Sequence, residues 1–332
     1  LKVLLTGATG FLGGHMTEAL LNEGYQVAAM IRKSSDTSLL EDLGVELREG
    51  YLDRPESLLE AVRGVDAVIH LAAYYTFSGK WEMYKKVNID GTEALLRASM
   101  AEGVPQFIYC SSTEAMGPVD SIPADEYSPL NPSFDYGRSK MLAEEVVRRY
   151  AANGISSTIL RPSGIYGPRN VNDVSYWFIT SFANSIASRF MIGNGSSHVQ
   201  FVHVDDVVQA HLLVLKKPDV SSGETYIVSE ERSYSYEDVY RMLAEIMGKK
   251  MPRIKLPPLL AKVMIAPVQA ANDLLRRDNF MWRISTVDAV TSDRSYSVEK
   301  IKEDLGYSPR HKLKDGLRET VEWYRDNGHI RN

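Results

Sequence analysis

Tyr136 and Lys140 stand four positions apart in Tyr136-Gly-Arg-Ser-Lys140. On a helix that spacing puts both on one face, one turn apart. A tyrosine titrates near ~10, too high for an efficient base at neutral pH. A lysine ammonium beside the phenol favours phenolate and lowers that value. Ser112 lies just past Gln106–Cys110, an apolar run that reads as a strand. Its hydroxyl is placed to hydrogen-bond a substrate oxygen that Tyr136 protonates or deprotonates. The three residues together predict proton transfer coupled to hydride transfer at a carbonyl or a carbinol.

The redox partner is legible at the start of the chain. Thr6-Gly-Ala-Thr-Gly-Phe-Leu-Gly13 follows a strand over Val3–Leu5 and opens a helix over about Gly13–Asn22. Gly7 permits a tight turn, Gly10 lets backbone approach a pyrophosphate, and Gly13 lets helix pack close to strand. The helix N-terminus adds free N–H groups and partial positive charge. Gly7, Thr9, Gly10, Phe11 and Leu12 are the candidate dinucleotide contacts of this turn. The second strand ends in Ile31-Arg-Lys-Ser-Ser35, where an acidic residue would accept the ribose hydroxyls of NAD. Arg32 and Lys33, with Ser34 and Ser35 as donors, suit a 2′-phosphate, which arginine grips bidentately. NADP is therefore favoured, and Asp36 keeps NAD open. Asp53, beside Leu52 after the third strand, is placed to accept from the adenine amino group.

Elements of fixed kind must carry these residues. Gln26–Ile31, Val45–Glu49, Ala67–Leu71, Gln106–Cys110 and Ser157–Leu160 read as further strands. Ser57–Val62, Tyr84–Ala101 and Tyr136–Ala152 read as helices between them. This alternation predicts right-handed βαβ units and an α/β fold, a Rossmann-type doubly wound parallel sheet. Residues 1–165 are expected to form the dinucleotide-binding domain, with segments around 201–230 returning to it. Residues 166–332 are expected to form mainly a smaller C-terminal α/β substrate lobe. There Asp205–Leu215, Ser235–Met247 and Asp315–Asn327 read as helices and Thr225–Val228 as a strand.

These motifs as a set resemble the extended short-chain dehydrogenase/reductase family, also called the NAD-dependent epimerase/dehydratase family. Other matching pieces are His70-Leu-Ala-Ala73, Asn88-Ile-Asp-Gly-Thr92, Ser111-Ser112 with Gly117, Arg161-Pro-Ser-Gly-Ile-Tyr-Gly-Pro168, Phe201-Val-His-Val-Asp-Asp206 and Leu305-Gly-Tyr-Ser-Pro309. The resemblance covers essentially the whole chain. It implies Ser112, Tyr136 and Lys140 as the catalytic triad, with Lys140 also on the nicotinamide ribose. Pro162 and Ser163 would lie beside the nicotinamide, and Leu71, Ala72 and Ala73 would line the dinucleotide groove. Asn88 would tie its helix to the neighbouring strand end. The helices at Tyr84–Ala101 and Tyr136–Ala152 resemble the pair that forms a four-helix homodimer interface.

Within that family two branches compete. Nucleotide-sugar epimerases carry diphosphate-binding arginines near Phe201–Asp206 and near the end of the chain. Here those places read His198-Val-Gln-Phe201 and Ala289-Val-Thr-Ser-Asp-Arg294, leaving Arg294 and Arg283 as possible substitutes. The sequence looks closer to dihydroflavonol 4-reductases and 3β-hydroxysteroid dehydrogenases. Tyr74, Tyr75, Phe77 and Trp81 follow the fourth strand, where a substrate wall would lie; core packing is the favoured reading of this cluster, with the wall as the alternative. Thr113, Glu114 and Tyr166 are further substrate candidates. Glu114 is read chiefly as a polar loop residue, with an extra acid/base role as the alternative. The apolar stretch Leu256–Leu275 is expected to pack on the small lobe, with a substrate lid or a weak membrane-surface contact as alternatives.

The bulk numbers agree with an enzyme acting on small molecules. The chain has 332 residues, 44% hydrophobic and 24% charged, with a formal charge of −5. That balance argues against non-specific nucleic-acid binding. The lone Cys110 can form no internal disulfide, so a reducing, cytoplasmic setting is expected. No signal peptide and no membrane-spanning segment are read. His198 and His203 lack metal-site spacing with carboxylates, so no metal is expected, and His203 should structure the loop before Asp205. The main expectation is an NADP-dependent reductase or dehydrogenase of a small, partly apolar substrate. An NAD-dependent nucleotide-sugar epimerase or dehydratase, or a non-catalytic NADPH-sensing regulator, are the alternatives.

Overall fold

The computed structural model describes residues 1–76, 78–184, 186–275 and 282–330. Its centre is a seven-stranded sheet in the order Thr225–Val228, Ser156–Pro162, Gln106–Cys110, Ala67–His70, Lys2–Thr6, Gln26–Ile31, Glu46–Glu49. Every pairing in it is parallel. Strands of such a sheet are covered on both faces, so they run apolar without alternation. Val3, Leu5, Ile69 and Ile108 point into one core layer. Leu4, Val68, Phe107 and Tyr109 point into the other. Burying each such side chain contributes about 1.5–3 kcal/mol, which makes the inner strands the rigid part of the molecule.

A third apolar cluster builds the smaller lobe from Phe178, Leu243, Leu313, Val321 and Tyr324, among others. The helices Val204–Lys216, Tyr236–Met247 and Leu313–Asp326 match their expected positions closely. Ser235 caps the second of them, accepting from the Asp238 amide at 3.1 Å. Three short two-stranded sheets complete this part.

Several elements differ from expectation, among them the short helices Ser38–Asp42, Ile284–Val290 and Glu299–Leu305, which were not foreseen. The helix expected from Tyr84 begins at Trp81 and passes through a π-helical stretch, Lys85–Asp90, before Gly91–Ala101. The wide turn carries Asn88, whose amide is tied outside the helix, a common setting for a π-bulge. Val174–Asn184 is a helix that sequence periodicity missed. Its residues are apolar or aromatic nearly all round, so no polar face marks the period. The stretch after Leu256 forms a helix, Pro258–Leu274, yet buries only Ala261 and Ile265. The expected packing of its apolar residues on the small lobe is overturned.

Candidate active site

The candidate residues converge at the carboxyl ends of Lys2–Thr6 and its neighbour Ala67–His70, where strand order reverses. Ligands of open parallel sheets bind in that crevice. The floor there is wired by side chains. Thr6 Oγ1 lies 2.7 Å from His70 Nδ1, and His70 Nε2 lies 3.0 Å from Thr92 Oγ1. The Ala72 amide donates to Thr6 Oγ1 at 3.2 Å. Burial pushes the His70 pKa down to about 3, so this imidazole is a fixed neutral bridge rather than a base.

The glycine turn fits a dinucleotide on backbone grounds. Gly7 has φ +75°, and a Cβ there would sit 2.9 Å from the Ala72 nitrogen. A Cβ on Gly13 would sit 2.0 Å from the Gly7 carbonyl oxygen. Gly10 differs: it is exposed, and a Cβ on it would meet only the Gly7 oxygen, at 3.3 Å. Its outer side is open for a phosphate. Gly10 also caps the helix Phe11–Asn22 with no side-chain hydrogen bond, which leaves first-turn N–H groups available. Exposed Thr9 and half-buried Phe11, Leu12, Leu71, Ala72 and Ala73 rim the same crevice.

At the end of the strand Gln26–Ile31, Arg32 is exposed and has no ion-pair partner among the described residues. Its amide donates to Ser35 Oγ at 3.1 Å, which folds the turn beneath it. Lys33 lies 3.8 Å from Glu49 and stays solvated. Asp36 is exposed and accepts from the Ser38 hydroxyl and amide, which hold its carboxyl below its usual value. Asp53 is paired with Lys86 at 3.0 Å, and Leu52 packs beside it against Gly91.

Tyr136 and Lys140 share the first turns of the helix Asp135–Ala151. Asp135 in its first turn and Arg148 and Arg149 in its last suit the helix dipole. The helix presses on the Ser112 loop so closely that a Cβ on Gly137 would meet the Glu114 carbonyl oxygen at 2.2 Å. Lys140 is buried and donates to the Cys110 carbonyl at 2.6 Å, with its Nζ 5.9 Å from the centre of the Tyr136 ring. Burial lowers the Lys140 pKa to about 8. Burial raises the Tyr136 phenol above its ordinary value, and the Asp173 and Glu114 carboxylates act in the same direction. The expectation is that Lys140, helped by an oxidised nicotinamide, lowers the phenol's pKa; in this structure burial is the largest influence on it and acts in the opposite direction. Ser112 Oγ accepts from the Glu114 amide at 3.1 Å, leaving the hydroxyl proton free to donate.

The substrate side holds a second set of polar groups. Tyr75 packs edge-on against Tyr136, ring centres 4.7 Å apart, and its phenol is hydrogen-bonded to Asp173. Burial raises the Asp173 pKa, while the bond from Tyr75 and the Val174 amide oppose the rise. Sequence reading missed Asp173, which has no motif around it. Glu114 is clasped by Arg294, with Nε to Oε1 at 3.1 Å. Arg294 also donates to the Ala289 carbonyl and Ser292 Oγ. Arg283 pairs with Asp273 at 3.1 Å. Both arginines considered for a diphosphate are thus already committed. Thr113 is buried beneath this pair.

Other candidates are placed elsewhere. Tyr166 is 1% exposed and packs in the smaller lobe's core, against His203 and beneath Gly316. It does not face the crevice, which corrects its reading as a substrate contact. The aromatic run is likewise split. Tyr74 packs on Tyr84. Trp81 lies beneath Arg138, 4.2 Å from the guanidinium, on the outer groove between the two long helices. Phe77 lies outside the described residues.

A buried network holds the catalytic strand ends in register. Glu144, one turn after Lys140, accepts from Ser111 Oγ at 2.6 Å and from Arg161 at 2.9 and 2.7 Å. Burial would raise its pKa, but Arg161 and Ser111 hold it below the usual value. An arginine inside the apolar run Ile159-Leu160-Arg161-Pro162 was the available signal. Pro162 and Ser163 follow directly; the Ser163 hydroxyl meets Ser229 Oγ at 2.7 Å. Asn88 donates to the Tyr74 carbonyl and Ser139 Oγ and accepts from the Tyr74 amide. It ties its helix both to the strand end and to the catalytic helix.

The histidines gather through the fold, not through sequence spacing. Ligand-type atoms of His203, Asp205 and His311 lie within 4.8 Å of one another. The two rings stack at 3.9 Å, and His311 Nδ1 lies 3.2 Å from Asp206. His203 Nδ1 accepts from the Asp205 amide, capping the helix Val204–Lys216.

Comparison with known proteins agrees with this geometry. A family model described as the NAD dependent epimerase/dehydratase family matches residues 3–229. Sterol demethylase protein B of Methylococcus capsulatus is 30% identical, covering 99% of this chain and 100% of its own length. Short-chain dehydrogenase/reductase family 42E member 1 of Danio rerio is 31% identical over 98% of this chain and 88% of its own. The solved UDP-glucose 4-epimerase of Thermotoga maritima superposes with a TM-score of 0.80 at 26% identity, covering 98% of this chain and 99% of that one.

Proposed function

The chain belongs to the NAD-dependent epimerase/dehydratase family of NAD(P)-dependent oxidoreductases, and we propose that it is an NADP-dependent carbonyl reductase or alcohol dehydrogenase of a partly apolar substrate. The observation that carries this reading is Tyr136 and buried Lys140 on one helix, pressed against the loop that bears the Ser112 hydroxyl. The glycine turn and the Leu71–Ala73 edge would hold the dinucleotide, which supplies or accepts the hydride when bound. In reduction, Ser112 donates to the substrate oxygen and fixes its position. Tyr136 gives that oxygen its proton as negative charge develops there. Lys140 holds its positive charge behind the ring, stabilising the phenolate left by that transfer. Tyr75 closes the other side of the Tyr136 ring and excludes water.

Free Arg32, with Lys33 and Ser35, supports NADP over NAD, since a 2′-phosphate gives the guanidinium a bidentate partner. The name of the sterol-demethylating relative supports an apolar substrate. The nucleotide-sugar reading draws on the likeness to the UDP-glucose epimerase, but Arg294 and Arg283, spent on Glu114 and Asp273, weigh against a diphosphate site. A homodimer in the cytoplasm completes the proposal. The groove between the two long helices, lined by Trp81, Lys85, Ile89, Glu93, Leu142 and Glu145, supports this reading as a surface onto which a second copy could dock.

The test is turnover with NADPH and NADH across a panel of ketones, aldehydes and nucleotide sugars. The reading predicts net NADPH consumption with a carbonyl compound. Nucleotide-sugar isomerisation on retained NAD, without net consumption, would overturn it.

A further inference from the structure

The helix Pro258–Leu274 presents an unpartnered apolar face. Leu259, Leu260, Val263, Met264, Val268 and Leu274 are all exposed, Leu259 at 76% and Leu274 at 84%. Pro267, Ala270 and Ala271 share that exposed side, and no charged residue interrupts it up to Asp273. Only Ala261 and Ile265 turn inward, onto Val287. Exposed apolar patches of such continuity are uncommon on monomeric soluble proteins and mark contact surfaces.

The charge around this face is opposite to the charge of the molecule. Residues 249–277 contain seven basic side chains and one acidic one, in a chain of formal charge −5. Lys249, Lys250, Arg253 and Lys255 precede the helix, Lys262 lies in it, and Arg276 and Arg277 follow it. Lys262 pairs with Asp288 and Lys255 with Glu237. Lys250 and Arg253 are exposed and have no ion-pair partner among the described residues. The helix has 17 residues and an internal proline, and no helix of the described residues is long and apolar enough to cross a membrane. An apolar helix face flanked by basic residues, too short to span, is the composition of a helix that lies in a bilayer interface.

We propose that this face docks the enzyme on an anionic lipid bilayer, the apolar side chains entering between headgroups and the flanking basic residues meeting lipid phosphates. The inference does not depend on the reductase reading, since it uses no residue of the catalytic crevice.

Sedimentation of the full-length protein with phosphatidylcholine vesicles, with and without phosphatidylglycerol, tests it. Binding is expected to the anionic vesicles and to weaken as salt is raised, because screening removes the electrostatic part. The double variant Val263→Glu/Met264→Glu should lower the bound fraction about tenfold or more. Its melting temperature and NADPH binding should stay unchanged. Lys250→Glu/Arg253→Glu, a second surface variant, should weaken anionic-vesicle binding alone. Wild-type protein remaining in the supernatant with both vesicles would overturn the proposal. So would vesicle binding undiminished in the first double variant. Without vesicle binding, two further findings assign the face elsewhere and overturn it: a dimer that this variant dissociates, or a raised KM for a water-soluble carbonyl substrate, which would make the helix a lid.

Discussion

The floor of the crevice and its rim are built by different means. On the floor, Thr6, His70, Ser111, Glu144 and Arg161 are nearly or fully buried and bonded to one another across strands. Each bond there is made away from water and ties a strand end to its neighbours. On the rim, Arg32 and Lys33 are solvated; outside the crevice, the helix Pro258–Leu274 turns most of its surface outward. Between them sit Tyr75, Asp173, Glu114 and Arg294, partly buried and bonded over the catalytic tyrosine. The difference separates tasks. Under the proposed function, the buried half would hold the geometry of proton transfer and the open half would read the cofactor's 2′ group.

The comparison breaks if a floor substitution is harmless. Glu144→Ala leaves Arg161 buried without its carboxylate, and loss of one partner of a buried pair costs about 3–5 kcal/mol. A urea midpoint unchanged from wild type would dissolve the distinction. Arg32→Glu should do the reverse. Removing a charge-assisted bond to a phosphate costs about 1.5–3 kcal/mol, so NADPH kcat/KM should fall roughly ten- to hundredfold. NADH turnover and the unliganded melting temperature should hold. Equal losses with both cofactors would show that Arg32 does not read the 2′ position.

Lys140 sharpens the comparison through pH. Its folded-state pKa, about 8, lies below the ordinary lysine value of 10.5. The unfolded chain therefore holds this proton more tightly, and its contribution to stability rises with pH between those values. Lys140→Met should show a flatter rise than wild type from about pH 8 upward. Parallel curves would mean that the ammonium is not desolvated as the structure has it. The smallest effect belongs to the outward helix: Leu259→Ser should change stability by no more than about 0.5 kcal/mol. A larger loss would place that leucine in a packed interface.

Much of the floor was legible because its signals are local. The parallel sheet follows from apolar runs alternating with helices, and the glycine turn from one unbroken segment, Thr6–Gly13. Tyr136 and Lys140 share a helix, so their spacing alone places them on one face. What was illegible is what distant segments bring together. Arg294 reaches Glu114 across 180 residues, and His311 stacks on His203 from another helix's approach. Tyr166 belongs to a motif whose tyrosine turns into the core, where Gly316 leaves it room. The helix Pro258–Leu274 has the spacing of a packed element, and periodicity cannot tell whether a partner covers it.

The central claim is that Tyr136 moves the proton while other groups hold the dinucleotide. Tyr136→Phe removes one oxygen and keeps the ring against Tyr75. The account predicts that carbonyl-dependent NADPH oxidation falls by about 10²–10⁴-fold. NADPH affinity, read by fluorescence titration, should stay within about twofold, since the glycine turn and Arg32 are untouched. Turnover near the wild-type rate in this variant would contradict the account.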